Sequence, residues 1–349
     1  MSNELGKTVL FRMNGVAPGF LREYGCHSCP QCSSSKPQAH ISASLLIKDR
    51  WGEAKRKLLC HILFDCGIGA IDSLIDFGAP PVDHVFISHG HAYHSLGFDR
   101  LVFGQERHGG RIPVPVHCTE PTLKEGPLRI YPWFFNKKNP RRRNKGTRLF
   151  FVPAKFLAPV KIPQPDIADI GLRITPVPVY QGPHAGAPVI WVVEFGNQKA
   201  KTYRKLVLGW ELVHFLPRFR GEDNCRNCGH EERNLRGPNA SRSQLAKKFP
   251  SLFKNVNELF FDGNTRTPQP STNHMSIDAG LKFLIPEINP ARTWIVHYSG
   301  HEDPGGPMSD EELQDWVDLE IQKRGLRDDL GKLRDVRVAK HGMVLAYEV

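Results

Sequence analysis

No run of about 18 apolar residues occurs in the 349-residue chain, so no membrane-spanning helix is expected. The opening segment MSNELGKTVLFRMNG lacks the basic-then-apolar layout of a secretory leader, which points to a cytoplasmic protein. No short-period repeat appears, which argues against a solenoid. Acidic residues are in deficit: 36 Asp and Glu stand against 47 Lys and Arg, for a formal net charge of +11. That surplus favours an anionic partner, a phosphorylated small molecule or a nucleic acid, although a basic surface also serves solubility alone.

What is present is globular composition, 40% hydrophobic and 24% charged, with apolar mass for a sizeable core. Strand patterns cover 8–14, 40–48, 57–65, 83–88, 112–117, 148–153, 171–180, 188–196, 204–209, 258–262, 293–298, 335–340 and 342–348. Helical patterns fit 70–77, a segment starting near His94, 119–126, 241–254, 276–286 and 309–324. Clustered strands with interspersed helices predict an α/β architecture of two packed sheets with helices outside. The chain reads as one domain, 1–349, with basic insertions near 136–148 and 212–250 that are too poor in apolar residues to fold alone.

The sharpest chemical signal is ISHGHAYHSLG (87–97). DHVFIS is a continuous apolar run suited to a strand buried on both faces, and His89, His91 and His94 follow it. A strand-end loop can turn all three imidazoles into one pocket, and neutral imidazole is the commonest zinc ligand. A chance histidine-rich loop is the bland alternative. His184, His274 and His297 stand at strand ends or helix starts, where loops converge at one sheet edge.

Cys26, Cys29 and Cys32 form a C-x2-C-x2-C run, and Cys225 and Cys228 a second C-x2-C. Such knuckles suit a structural zinc ion, with an iron–sulfur cluster or a redox dithiol as the competing reading. Cys60, Cys66 and Cys118 lie on strands or strand ends and read as core. Arg141, Arg142, Arg143 and Lys145, in the insertion 136–148, form a cationic stretch that could bind substrate or nucleic acid through phosphates, or simply be solvated. Nearby Trp133, Phe134 and Phe135 suit either base contacts or core. Asp65 and Asp83 read as residues that orient others or form turns.

The order of these histidines resembles the metallo-β-lactamase superfamily, with its HxHxDH motif. Within it, VLFRMNGVAPG before the cysteine run, FDCG, ELFFDGNTRTPQPSTNHMSIDAGLKFL and WIVHYSGH with VRVAKHGMVLAYEV are similar to PhnP-like cyclic-phosphate phosphodiesterases. The resemblance spans nearly the whole chain apart from the two insertions. It implies an αββα metallo-β-lactamase sandwich with a cysteine-rich structural zinc site. His89, His91 and His184 would hold a first metal ion, His94 and His297 a second, and His274 would protonate the leaving alkoxide. His301 sits near the place of the histidine that completes the family's three-cysteine site. The structural ion would thus take Cys26, Cys29 and Cys32 with His301, or thiolates from both knuckles, the mixed arrangement being favoured.

Two departures stand out. Tyr93 replaces the motif aspartate, so HGHAYH is a degenerate motif in which Tyr93 enters the catalytic set as a neutral phenol. The bridging carboxylate that should end the strand KLVLG is replaced by Trp210, leaving Glu211, one residue on, or Asp262. The function implied is a metal-dependent hydrolase, a phosphodiesterase acting on a nucleotide or nucleic acid through a metal-bound hydroxide. It would carry structural zinc with one or two catalytic zinc or manganese ions. Alternatives are a cofactor- or natural-product-pathway enzyme of the same fold, as in pyrroloquinoline quinone synthesis, and a catalytically inactive, zinc-stapled nucleic-acid-binding protein. No membrane partner is expected; homodimerisation is left open.

Overall fold

Fourteen strands fall into two seven-stranded sheets in the computed structural model, which describes residues 6–18, 26, 29–30, 32–33, 39–49, 57–143, 145–180, 185–196, 202–210, 214–215, 247–248, 250–269 and 274–349. The first sheet has the order β14-β1-β2-β3-β4-β5-β6, built from β1 (Lys7–Gly15), β2 (Ser42–Asp49), β3 (Leu58–Phe64), β4 (His84–Phe86), β5 (Val114–Cys118), β6 (Leu149–Pro153) and β14 (Val344–Glu348). The second runs β10-β7-β8-β9-β11-β12-β13, from β7 (Arg173–Tyr180), β8 (Val189–Phe195), β9 (Arg204–Gly209), β10 (His214–Phe215), β11 (Glu258–Asp262), β12 (Arg292–Val296) and β13 (Val336–Val338).

Each sheet changes character partway. β14 to β3 pair antiparallel, and β3 to β6 pair parallel. In the second sheet, β10 to β9 pair antiparallel and β9 to β13 parallel. Parallel strands need crossovers, which lay helices on the outer faces. These are α1 (Ala70–Asp76), α2 (Phe98–Arg107), α3 (Glu120–Glu125) and α4 (Pro127–Ile130) on the first sheet. On the second are the segment Ile277–Ala279, Gly280–Leu284 and Ile285–Ile288, whose middle part is a π-turn, and the helix Asp310–Arg324. The last of these starts at a capping box, Ser309 with Glu312, and stops at Gly325 in the left-handed region, as its sequence directs.

Three apolar layers follow. One lies between the sheets, around Phe11, Phe64, Phe86, Trp191, Phe260 and Trp210; the others lie beneath the two helical layers. Cys60, Cys66 and Cys118 are wholly buried, and burial pushes their thiols up, away from the reactive thiolate. His61, His84 and His117 are also internal, and burial lowers them to about 4, about 4 and about 3, so they are neutral at pH 7.

The expected strands and the α/β two-sheet plan are all present, with ends shifted by a few residues. The helix foreseen near His94 is a 3-10 turn at Ala92–His94 followed by α2. Of the stretch expected to be helical at 241–254, residues 241–246 and 249 lie outside the described residues, and 250–253 are helical. Among the described residues, no helix is long and apolar enough to cross a membrane.

Candidate metal centre and histidine cleft

Parallel strands in both sheets end at one edge, and the chemistry-bearing side chains gather there. β3 ends in Phe64 and hands on to Asp65, which is fully buried with a positive φ of 53°. Its Oδ1 accepts from the Ser88 backbone N–H at 2.8 Å, and its Oδ2 from the Ser88 hydroxyl at 2.8 Å and the Trp210 indole N–H at 2.9 Å. His94 Nδ1 lies 3.0 Å from the same Oδ2. Asp65 thus gathers Ser88 and Trp210 around a buried carboxylate that faces His94. Trp210, just past β9, ties this edge of the first sheet to the second.

The histidine loop starts where β4 stops. His89 Nδ1 is 3.0 Å from the Ser88 hydroxyl, and its Nε2 is 2.9 Å from His91 Nδ1. The same His91 nitrogen lies 3.3 Å from the Tyr93 hydroxyl, and the His89 and His94 rings are 4.0 Å apart. So His89, His91, Tyr93 and His94 do converge. Their loop is closed by Cys66 N–H to the His94 carbonyl and Gly97 N–H to the Cys66 carbonyl, both at 2.8 Å. Gly67 has no room for a side chain: a Cβ would stand 2.7 Å from His40 Cβ and press on the Tyr93 carbonyl oxygen.

The second sheet contributes Asp262, His274 and His297. Asp262, at the end of β11, is fully buried; its Oδ2 holds His274 Nδ1 at 2.6 Å, and its Oδ1 faces His297 Nδ1 from 3.4 Å without a hydrogen bond between them. His297 follows β12 with a positive φ of 64°, a strained conformation of the kind concentrated at functional sites. Asn264 donates to the His297 carbonyl at 3.2 Å. The three donors Asp262, His274 and His297 lie within 4.8 Å of one another, a geometry open to a cation as well as to a carboxylate-linked histidine pair. The contact at 2.6 Å is a short hydrogen bond and favours the pair.

A separate cluster joins Cys26, Cys29, Cys32 and His301, whose donor atoms lie within 4.8 Å of one another. Cys29 Sγ and Cys32 Sγ are each 3.4 Å from His301 Nε2. Zinc bond lengths with tetrahedral angles put neighbouring sulfur and nitrogen ligands about 3.6 Å apart, so these four donors fit a structural zinc ion. The Cys26 thiol is drawn down to about 6, first by the Cys29 backbone N–H and then by side-chain bonds to Cys29 and His301. Of the two ligand sets weighed from the sequence, this is the one the described residues bring together; Cys225 and Cys228 lie outside them.

His184 and Glu211 also lie outside the described residues, as do residues 216–246 of the second insertion. Arg141, Arg142, Arg143 and Lys145 are exposed but partly pinned along the edge of β6. Phe151 N–H donates to the Pro140 carbonyl, Arg141 pairs with Glu120 at 3.2 Å, and the Arg143 guanidinium lies 4.0 Å over the Phe150 ring. Asp83 accepts from the His61 backbone N–H at 2.9 Å. Sequence reading missed His40, buried with its ring 5.4 Å from Tyr93. It also missed Ser88 and the indole of Trp210. The place of His40, eight residues past Cys32, was the only available sign of the first; nothing in the spacing pointed to the others.

The two sheets, the helices outside and the histidine edge define the metallo-β-lactamase fold. No family model and no curated protein matches the chain. Solved structures do. A diphosphatase of the PhnP family is similar at a TM-score of 0.58 and 17% identity, covering 98% of each chain. The metallo-β-lactamase-fold protein YhfI from Bacillus subtilis gives 0.55 and 13%, over 97% of this chain and 99% of that one. Unliganded yeast PDE1 gives 0.51 and 13%, over 98% and 99%.

Proposed function

We propose that the chain is a metal-dependent phosphodiesterase acting on a nucleotide or nucleic-acid phosphodiester. The observation that carries this reading is that cleft histidines are backed by buried polar groups. Ser88 stands behind His89, Asp65 behind His94, and Asp262 behind both His274 and His297. Metal-ligating histidines are characteristically oriented in this way. The likeness of fold to a diphosphatase and to PDE1 agrees with chemistry at phosphorus.

A divalent cation held by His89 and His91, with His184 as a third donor, would supply Lewis acidity and a water of lowered pKa. His94 and His297 could serve a second ion. The donor set favours one, because Tyr93 stands in place of an anionic ligand and the Trp210 indole is committed to Asp65. Glu211 is the remaining carboxylate that could bridge. His274, held through Nδ1 by Asp262, donates a proton to the leaving oxygen. The Tyr93 hydroxyl beside His91 offers a hydrogen bond where an aspartate would offer charge. Cys26, Cys29, Cys32 and His301 staple the amino-terminal loop through zinc. The basic residues Arg141, Arg142, Arg143 and Lys145 are a candidate phosphate-binding stretch.

The test is hydrolysis of bis(p-nitrophenyl) phosphate and of a dinucleotide with added manganese. Wild type should cleave both, and His89→Ala neither. His274→Ala should slow dinucleotide cleavage by about 10²–10⁴-fold and p-nitrophenolate release far less, since that leaving group needs no proton. A wild-type chain inert to both substrates under metal-replete conditions would contradict the reading. The inactive nucleic-acid-binding alternative, favoured by Tyr93 and Trp210, would then take its place.

A further inference from the structure

The second-sheet half of the cleft and the thiolate site stand on two loops that grip each other. One loop follows β11 and leads in sequence to His274; the other follows β12 and carries His297 and then His301. Asn264 joins them. Its carbonyl accepts the Ser299 and Gly300 N–H groups at 2.9 and 3.0 Å, and its buried side-chain amide donates to the His297 carbonyl at 3.2 Å. Its own N–H donates to the Met275 carbonyl at 3.1 Å, while Ile277 and Asp278 donate to the Thr265 and Arg266 carbonyls at 2.8 and 2.9 Å. Residues 264–266 thus form a short ladder with 275–278, and His274 directly precedes that ladder.

The same turn is clamped from the other loop. Asp303, whose side chain is fully buried, accepts the Arg266 backbone N–H through both oxygens at 2.9 and 2.8 Å and the Arg266 Nε–H at 3.2 Å. The guanidinium goes on to the Pro304 and Gly306 carbonyls at 2.6 and 3.2 Å. His301, two residues before Asp303, turns Nε2 to the Cys29 and Cys32 sulfurs and Nδ1 to the Ser299 hydroxyl at 3.0 Å. A displacement of His301 therefore reaches Asn264 through Ser299 and Arg266 through Asp303, and both routes end beside His274 and His297. The positive φ of His297 is a conformation that a side-chain-bearing residue keeps only where its surroundings impose it. Here the Asn264 amide holds its carbonyl, and the Val16 carbonyl, ahead of the cysteine run, accepts its N–H at 2.9 Å.

We propose that Asn264, Arg266 and Asp303 are positioning residues through which the thiolate site sets the placement of His274 and His297. The inference rests on the phosphodiesterase reading for the chemistry it affects, and on the contacts alone for the route. A clamp that served only its own loop would tie residues 300–306 to one another; this one crosses to the turn before His274.

The test is amide hydrogen exchange on the full chain, read by mass spectrometry. In Cys29→Ser and in Asp303→Ala, the amides of Ile277 and Asp278 should exchange about tenfold faster than in wild type, with those of β2 and β3 unchanged. Asp303→Asn, which keeps an acceptor oxygen, should lie between. Hydrolysis is the second readout. Asp303→Ala should slow dinucleotide cleavage by about 10–100-fold. It should slow p-nitrophenolate release from bis(p-nitrophenyl) phosphate far less, because only the first leaving group needs a placed proton donor. Unchanged exchange at Ile277 and Asp278 in either Cys29→Ser or Asp303→Ala would overturn the proposal. So would faster exchange spread evenly over both sheets in Asp303→Asn as well, or equal slowing of the two substrates. A wild type inert toward both substrates removes the enzyme reading alone, since the exchange comparison stands without it. Hydrolysis with unchanged exchange removes only the coupling.

Discussion

Asp65 sits at the meeting of the two halves of the cleft, taking three hydrogen bonds from Ser88 and Trp210 and facing His94 from 3.0 Å. Its burial is tolerated because donors surround the carboxylate; removing it leaves the indole, the hydroxyl and a backbone N–H without their acceptor. Asp65→Ala should therefore lower metal affinity or turnover by about 10–100-fold with the ligands themselves intact. Chelator competition for zinc checks this, and an unchanged affinity would show that His94 needs no such support. At this scale the sequence was most readable for residues with one meaning: histidines at strand ends, and an aspartate in a strand-end turn. It was least readable for Trp210 and His40. Their part depends on contacts with residues 65 and 93, which sequence spacing does not reveal. Asp262 was foreseen only as a substitute bridging ligand, whereas its two oxygens are turned to His274 and His297.

Strands were legible because buried parallel strands are continuous apolar runs and their ends are marked by polar turns, as in VFI (85–87) followed by Ser88 and His89. Helix starts in the histidine loop were not, since Gly97 and the tight packing there decide where α2 begins. Glycines at this level separate packing from propensity. A methyl on Gly67 collides with His40 and the Tyr93 carbonyl, whereas one on Gly104, inside α2, meets nothing within 4 Å. Gly67→Ala should cost about 1–3 kcal/mol, while Gly104→Ala should stabilise by about 0.5–1 kcal/mol. Urea unfolding of both variants checks the pair. Equal effects would mean that the turn joining β3 to the histidine loop relaxes freely. The insertion 136–148 shows the converse limit: its composition reads as a loop, yet stacking on Phe150 and Phe151 along an edge strand holds Arg143 and Arg141 in place.

Across the whole molecule, each sheet repeats one plan, antiparallel strands followed by parallel ones, and the candidate site's histidines and aspartates cluster where the parallel strands of both sheets end. That plan was legible from the alternation of strand and helix patterns, because layer architectures that bury one face of each element are few. The central claim is that two different metal sites flank this edge: one of imidazoles and one of thiolates with His301. Elemental analysis of the purified chain, with Cys29→Ser and with His89→Ala combined with His91→Ala, tests it most directly. The account predicts at least two ions in the wild type, with zinc lost selectively from Cys29→Ser and at least one further ion lost selectively from the double histidine variant. Full metal content in the histidine variant, or a wild type carrying only the cysteine-bound ion, would contradict it.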